Sequence, residues 1–503
     1  MAGRQAKRLL SRAPRTQLAK GASARREGQY KTYGQAPSAT HPAASGVRHR
    51  RSPARPGGSR SRRGARVTAR NRELLGLVVA SLIAGVALAS VTISREAQVS
   101  AAAVAWGAMF LGLYLVAHVV ARRAVPYADG ALLPLTAVLT AFGIAINYRL
   151  DPEDGGRQAL WVAIGVAVLA ATLIWLRHDY RVLESYRYLF GVAAVGLLLL
   201  PSVPGLGERV NGVRLWVHVG PLQFQPGELA KICLIVFLAG YLREKREVVA
   251  QGRLKDLGPL LAIWGAAMLV IMQTNDLGSA LLNFGIFLAM LYVATGRALY
   301  VGAGLALFVG GAGLLYTALQ HVQDRVTIWL HPWTDERVYC AVNGQLELRQ
   351  DCASYQLVKS LYSIANGGFG GTGLGEGTFA STDGTPLIPY LRTDFVYSAI
   401  AQELGLIGAA ALLLVFMLFV VRGMRVALRA QDGFSKLLAA GLTFGFALQT
   451  FIIVGGVLRV VPLTGITLPF VSYGGTSIVA NFLLVAGLLL VSNRANEPGA
   501  SFR

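Results

Sequence analysis

Long apolar runs separated by short polar connections dominate the chain from residue 74 onward, each close to the ~20 residues an α-helix needs to cross a bilayer. Twelve runs are legible: 74–93, 100–120, 130–147, 158–176, 186–203, 228–242, 258–273, 277–295, 299–319, 395–421, 434–458 and 476–492. The pattern breaks over residues 320–394, which are rich in Pro, Gly, aromatic and charged residues. That stretch holds "HPWTD" (His331 to Asp335), "YQLVKS" (Tyr355 to Ser360), "NGGFGGTGLGEG" (Asn366 to Gly377) and "RTDF" (Arg392 to Phe395). Loops longer than about 15 residues are usually functional or disordered, so chemistry is expected there. The expectation is an all-α polytopic membrane protein.

Composition agrees: of 503 residues, 54% are hydrophobic and 15% charged, with a mean hydropathy of +0.49. The formal charge of +22 is concentrated in residues 1–72, which carry 19 Lys or Arg and a single acid, Glu27. No apolar run there offsets the entropy of folding, so this tail reads as disordered. Its charge suits either attraction to anionic lipid heads, about 1 kcal/mol per basic residue, or a solvated topogenic role. Nucleic acid is not expected as a partner, since the tail offers only Tyr30 and Tyr33 for stacking and no recognisable domain.

With the tail in the cytoplasm, the even-numbered connections are cytoplasmic too. They hold Arg122 and Arg123, Arg177 and Arg181, Arg243, Lys245 and Arg246, and Arg422, Arg425 and Arg429, as the positive-inside rule requires. Both termini are then cytoplasmic, and loop 320–394 is extracytoplasmic. Domain boundaries follow: a basic tail (1–72), two extra helices (73–129), a core (130–493) and a short cytoplasmic C-terminal tail (494–503).

Several side chains stand out on this map. Cys340 and Cys352 lie in the outward loop, where they are either a disulfide or two free thiols. Glu228 and Lys231 share one helix face and are either a structural ion pair or a functional site at membrane depth. Asp276 precedes a helix and is either its cap or a site residue. Asp394 and Glu403, nine positions apart, fall on opposite faces of one helix. The seven glycines from Gly367 to Gly377 are either a flexible loop or a backbone that presents amides to an anion. Asp335, past Pro332 and Trp333, is either a turn residue or a carboxylate whose poor solvation suits it to general-base work.

Six blocks in order resemble the SEDS family (shape, elongation, division and sporulation), typified by RodA and FtsW. They are "NGVRLWVHVGPLQFQPGELAK" (from Asn211), "NDLGSA" (from Asn275), "WLHPWTD" (from Trp329), "YQLVKSLYSIANGGFGGTGLGEG" (from Tyr355), "TDFVYSAIAQELGLIG" (from Thr393) and "TGITLPFVSYGGTS" (from Thr464). The resemblance covers roughly 130–492 and departs from the family pattern at Gly227, Asn275 and Arg392. It implies a ten-helix core, here with two extra N-terminal helices. It also implies a peptidoglycan glycosyltransferase of the bacterial cytoplasmic membrane that polymerises lipid II into glycan strands beside a class B penicillin-binding protein. The short stretch after Asn493 leans toward the elongation, RodA-like branch.

The family's essential Asp falls on Asp335, with Asp351, inside an insert, as competitor. Substrate contacts are implied at Arg214, Glu228, Lys231, Asp276, Tyr355, Gln356, Lys359, Ser360, Gly371, Gly373, Arg392 and Asp394. In the expected reaction Asp335 takes the proton of the acceptor sugar hydroxyl. Basic side chains, the glycine-rich amides or a divalent cation (Mg or Mn) stabilise the departing pyrophosphate. The alternatives are a flippase for polyprenyl-linked sugars and a non-catalytic scaffold for a synthase.

Overall fold

The computed structural model describes residues 58–96, 101–210, 213–219, 222–247, 258–274, 276–340, 345–381 and 385–498. The first helices in the chain are α1 (Gly58–Glu96), α2 (Ala101–Ala124), α3 (Leu132–Leu150), α4 (Pro152–Leu176), α5 (Arg187–Leu199), α6 (Pro226–Glu244) and α7 (Gly258–Gln273). They are followed by α8 (Leu277–Thr295), α9 (Ala298–Ala318), α10 (Gln320–Leu330), α11 (Tyr355–Gly367), α12 (Val396–Arg429), α13 (Gly433–Val457) and α14 (Gly475–Ala495). Nine of these are long and apolar enough to cross a membrane among the described residues, and α5 and α7 are shorter apolar helices. With α6, whose charges set it apart, they correspond to the twelve apolar runs. The molecule is an all-α, multi-pass membrane protein.

Local chemistry sets many helix ends. Asp151, Asp276 and Asp432 accept amide hydrogens of the first turns of α4, α8 and α13, Pro occupies the first turn of α4 and α6, and Gly296 closes α8 in the left-handed region. α13 and α14 lie deepest, with most of their residues buried. Glycines let neighbours approach them: a Cβ on Gly165 or Gly475 would collide with the ring of Phe482 or Trp161. No residue of α9 is buried, so its apolar surface is left for lipid.

The extra pair α1–α2 packs on α3 and α4. Near one end, Glu73 binds Arg70 and, at 2.8 Å, His118 Nδ1, while Arg70 also donates to Val125 O. Near the other, Ser94 Oγ donates to Gly375 O at 3.0 Å. The structure corrects the extent of the tail: α1 begins at Gly58, so residues 58–72 are helical, whereas residues 1–57 lie outside the described set. Ala- and Arg-rich sequence propagates readily from a helix already nucleated by the span that follows.

Two small sheets were not expected. Strands β1 (Gly207–Val210), β2 (Val213–Val219) and β3 (Leu222–Phe224) form an antiparallel meander, and β4 (Arg337–Tyr339) pairs with β5 (Leu346–Leu348). The alternation of Val213, Leu215, Val217 and Val219 with polar or aromatic residues, after the Asn-Gly pair at 211–212, was the available hairpin signal.

α12 is broken at Gly405, where φ is 65° and ψ is −170°. The glycine-rich segment fills this break. Thr372 N and Gly373 N donate to Gln402 O and Glu403 O at 3.0 Å, while Leu406 N and Ile407 N donate back to Gly368 O and Phe369 O at 2.9 and 3.2 Å. Four backbone groups that the break would otherwise strand inside a bundle, two carbonyls before it and two amides after it, are thereby paired. A Cβ at position 405 would lie 2.3 Å from Gly371 N, in a conformation reserved for glycine. Gly405→Ala is expected to destabilise the protein by about 1–3 kcal/mol, read as a lower melting temperature in detergent; an unchanged value would show that the break and the segment adjust without cost.

Candidate active site at the loop end

The odd-numbered connections and loop 320–394 gather at one end of the bundle around the irregular segment that joins α13 to α14. Its carbonyls collect donors from many elements. Trp329 Nε1 reaches Arg459 O at 3.1 Å, Arg325 reaches Leu463 O and Thr464 O at 3.3 and 3.4 Å, and Gln449 Nε2 reaches Thr467 O at 2.9 Å. Asn147 and Gln158 donate to Val471 O and Ser472 O at 3.0 and 3.2 Å.

Lys231 Nζ contacts Glu228 Oε2 at 2.7 Å and Gln449 Oε1 at 2.6 Å, with both ionic groups buried. The helical i, i+3 spacing makes the pair and Gln449 completes it, so both charges are internally compensated. Asp276 caps α8 by accepting Ser279 N at 2.9 Å, and also lines a small cavity with Leu215, Gln225, Gly227, Ser279 and Asn283. Burial pushes its carboxyl above the ordinary range against the opposing pull of Ser279 and Arg325. Asp394 precedes α12, and burial pushes its carboxyl up to about 6 against the Thr393 hydroxyl and Arg325. Arg325, absent from the expected set, is thus the cation that faces both carboxylates.

The remaining expected residues divide into those already engaged and those open. Arg392 binds Asp154 and, at 3.4 Å, Asp151 Oδ2, and stands 5.7 Å from the centre of the Tyr473 ring. Glu403 is held by Arg149 Nε at 3.0 Å, so Asp394 and Glu403 have separate partners. Gly371 and Gly373 correct the anion-cradle expectation. Their amides donate to Gly367 O and Glu403 O at 2.8 and 3.0 Å, and their positive φ angles of 84° and 106° serve the approach to α12. Tyr355, Gln356, Lys359 and Ser360 lie in the first turns of α11, with Lys359 Nζ 5.4 Å from the Tyr355 ring centre and Ser360 fully buried. Arg214 is exposed on β2. Among the described residues, neither Lys359 nor Arg214 takes part in an ion pair.

Asp335 and Asp351 are both exposed. Asp335 follows the C-terminus of α10, and Asp351 ends a 3-10 turn inside the insert. Cys340 and Cys352 form a disulfide that closes this insert. Among the described residues the one cluster with metal-ligand character is Cys340, Glu347 and Cys352. Its two sulfurs are bonded to each other, and Mg²⁺ or Mn²⁺ prefers oxygen donors. The cluster does not fit such an ion, and no chemical step is routed through a metal.

Sequence reasoning also missed Arg459. Its guanidinium donates to Trp329 O and Leu330 O at 2.8 and 3.0 Å and stands 5.2 Å from the Trp333 ring centre. The available signal was a lone Arg in an otherwise apolar connection on the side where the charge rule expects few.

Fold and site together define a multi-pass helical membrane protein with ionisable chemistry collected at one end. Residues 131–497 match the FtsW/RodA/SpoVE family of cell cycle proteins, and the chain belongs to that family. It is 37% identical to the peptidoglycan glycosyltransferase RodA of Mycobacterium tuberculosis over 452 residues, which cover 86% of this chain and 92% of that one. It is 34% identical to stage V sporulation protein E of Bacillus subtilis over 361 residues, 71% of this chain and 92% of that one. A solved structure described as showing the coordination of polymerization and crosslinking by a peptidoglycan synthase complex matches with a TM-score of 0.59 and 27% identity, over 74% of this chain and 99% of that chain. A variant of the rod shape determining protein RodA of Thermus thermophilus matches with a TM-score of 0.50 and 25% identity, over 73% of this chain and 97% of that chain.

Asp394 gives a pH test. Its folded value of about 6 lies above the ordinary 3.8, so between these values the native state binds more protons than the unfolded one and stability falls as pH rises. Asp394→Asn is expected to flatten this part of the melting-temperature profile between pH 4 and pH 6 and to be no less stable than the wild type at pH 7. A wild-type slope in the variant would show that the carboxyl is not held in its neutral form.

Proposed function

We propose that the chain is a peptidoglycan glycosyltransferase that polymerises lipid II, with Asp335 as general base. The observation that carries the activity is the family match over residues 131–497, supported by a relative named for this activity at 37% identity. Topology supports the location of the chemistry. Arg122, Arg123, Arg177, Arg181, Arg243 and the Arg residues at the end of α12 lie at the end of the bundle opposite loop 320–394. By the positive-inside rule that end is cytoplasmic, and the loop faces outward. Both termini then lie in the cytoplasm.

In the reaction, the acceptor sugar hydroxyl attacks the anomeric carbon of the donor. The new C–O bond forms as the bond to pyrophosphate breaks, and the hydroxyl proton passes to the Asp335 carboxylate. A positioned base contributes about 10²- to 10⁴-fold to such a step. Negative charge gathers on the leaving undecaprenyl pyrophosphate, and cations aimed at it stabilise the transition state. Lys359 and Arg214 suit that role, because Lys231 and Arg392 are already committed to carboxylates. Asp335 is preferred to Asp351 because it lies in the "HPWTD" block that follows α10, whereas Asp351 lies inside the insert. A class B penicillin-binding protein is the proposed partner that crosslinks the product. The buried Glu228–Lys231 pair is the observation that favours a flippase, but its charges compensate each other and leave no free charge to follow a substrate through the membrane.

Full-length protein with its transpeptidase partner in vesicles is expected to build glycan from labelled lipid II. Asp335→Ala is expected to abolish synthesis at unchanged folding, and Asp351→Ala to retain it. Wild-type synthesis by Asp335→Ala removes the base, loss confined to Asp351→Ala transfers the role, and lipid II translocation without synthesis establishes the transporter.

A further inference from the structure

We infer that Arg459 and the disulfide-closed insert after Asp335 are positioning elements that hold the Asp335 backbone from both sides. The inference rests on the assignment of Asp335 as base. Upstream, Arg459 adopts φ 61°, a left-handed conformation that is unfavourable for a non-glycine residue. Such strain persists where the surroundings over-determine it, and it concentrates at functional sites. Here Arg459 caps two carbonyls in the last turn of α10, Trp329 O and Leu330 O, which the helix itself cannot satisfy. Its positive charge also suits the negative end of the α10 dipole. Trp329 Nε1 returns a bond to Arg459 O at 3.1 Å, and the guanidinium covers the Trp333 ring. The chain is therefore fixed from Trp329 to Trp333.

Downstream, Arg349 grips the residue after Asp335 twice. Its amide donates to Glu336 O at 3.0 Å, and its Nη2 binds Glu336 Oε2 at 2.6 Å. Arg349 is itself buried and accepts Ser354 N at 2.8 Å immediately before α11. β4 and β5 pair from Arg337↔Leu348 to Tyr339↔Leu346, and the Cys340–Cys352 bond closes the far side. Only Thr334 and Asp335 lie between the two anchors. The Asp335 carboxylate makes no hydrogen bond or ion pair among the described residues and is exposed. The backbone is anchored while the carboxylate is left for a ligand, which is what a base acting on a bound hydroxyl requires.

The test compares kcat, KM for lipid II and melting temperature of the full chain with its partner. Arg459→Gly removes the guanidinium and also relieves the left-handed strain, so a role limited to folding predicts an altered melting temperature with kcat unchanged. Positioning predicts a kcat lower by about 10- to 100-fold, with KM and melting temperature near wild type and partial recovery in Arg459→Lys, which keeps the charge. The paired change Cys340→Ser with Cys352→Ser is expected to lower kcat in the same selective way. A wild-type kcat in Arg459→Gly while Asp335→Ala is inactive overturns the clamp alone. Activity in Asp335→Ala overturns the base assignment instead. Losses of kcat that track losses of melting temperature across all variants overturn the positioning role.

Discussion

A backbone carbonyl that has left its helix inside a membrane protein must find a donor, and the segment from Leu458 to Gly474 imposes that demand on everything around it. α13 ends, the chain runs irregularly at the head of the bundle, and α14 begins. The donors come from α3 (Asn147), α4 (Gln158), α10 (Arg325, Trp329) and α13 itself (Gln449). Ser472 adds a bond from its hydroxyl to Thr393 O at 2.5 Å and accepts Leu468 N at 2.9 Å. This one segment therefore fixes the relative positions of four helices and of the chain entering α12.

That demand also sorts the charges. Gln449 serves Thr467 O with its amide and Lys231 with its carbonyl, so the buried ion pair and the irregular segment share a side chain. Removing either charge would leave its buried partner uncompensated, at about 3–5 kcal/mol. Such groups suit a rigid frame better than a moving part. Arg392 is spent in a similar way on Asp151 and Asp154. Among the described residues Lys359 on α11 and Arg214 on β2 take part in no ion pair and lie on elements outside this frame, where a charged ligand meets them without breaking an existing pair. The distinction between compensated and available charge ties the architecture to the proposed chemistry.

Much of the frame was legible in the sequence, because each span announces itself by about 20 apolar residues and the charge rule orients the connections. The Glu228–Lys231 pair was one of the two readings that helical spacing offered, and the structure forms it. Other features depend on groups that meet only in three dimensions. The seven glycines suggested a backbone open to an anion, yet the Gly373 amide is taken by the break at Gly405 and those of Gly368 and Gly371 by their own segment, and Gly405 lies inside what the apolar pattern presents as a continuous helix. Arg325 bonds to backbone carbonyls of a distant connection and Arg459 to those at the end of a distant helix, and a carbonyl carries no sequence signature. β4 and β5 were hidden for a similar reason, since two three-residue strands held by a disulfide need almost no hydrophobic alternation.

The same reasoning gives the extra pair α1–α2 a structural connection to the site, although the family match begins only at residue 131. Leu374 of the glycine-rich segment packs in a cluster with Ala87 and Leu88 of α1, Trp106 of α2 and Ala145 of α3. Ser94 holds Gly375 O, and a Cβ at Gly375 would lie 2.4 Å from the Ser94 hydroxyl. The glycine-rich segment is thus supported on one side by α12 and on the other by α1. Because the segment pairs the backbone on both sides of the break in α12, whatever shifts α1 must also disturb that pairing. A helix pair outside the matched core is thereby mechanically continuous with the chain that leads from α11 into α12.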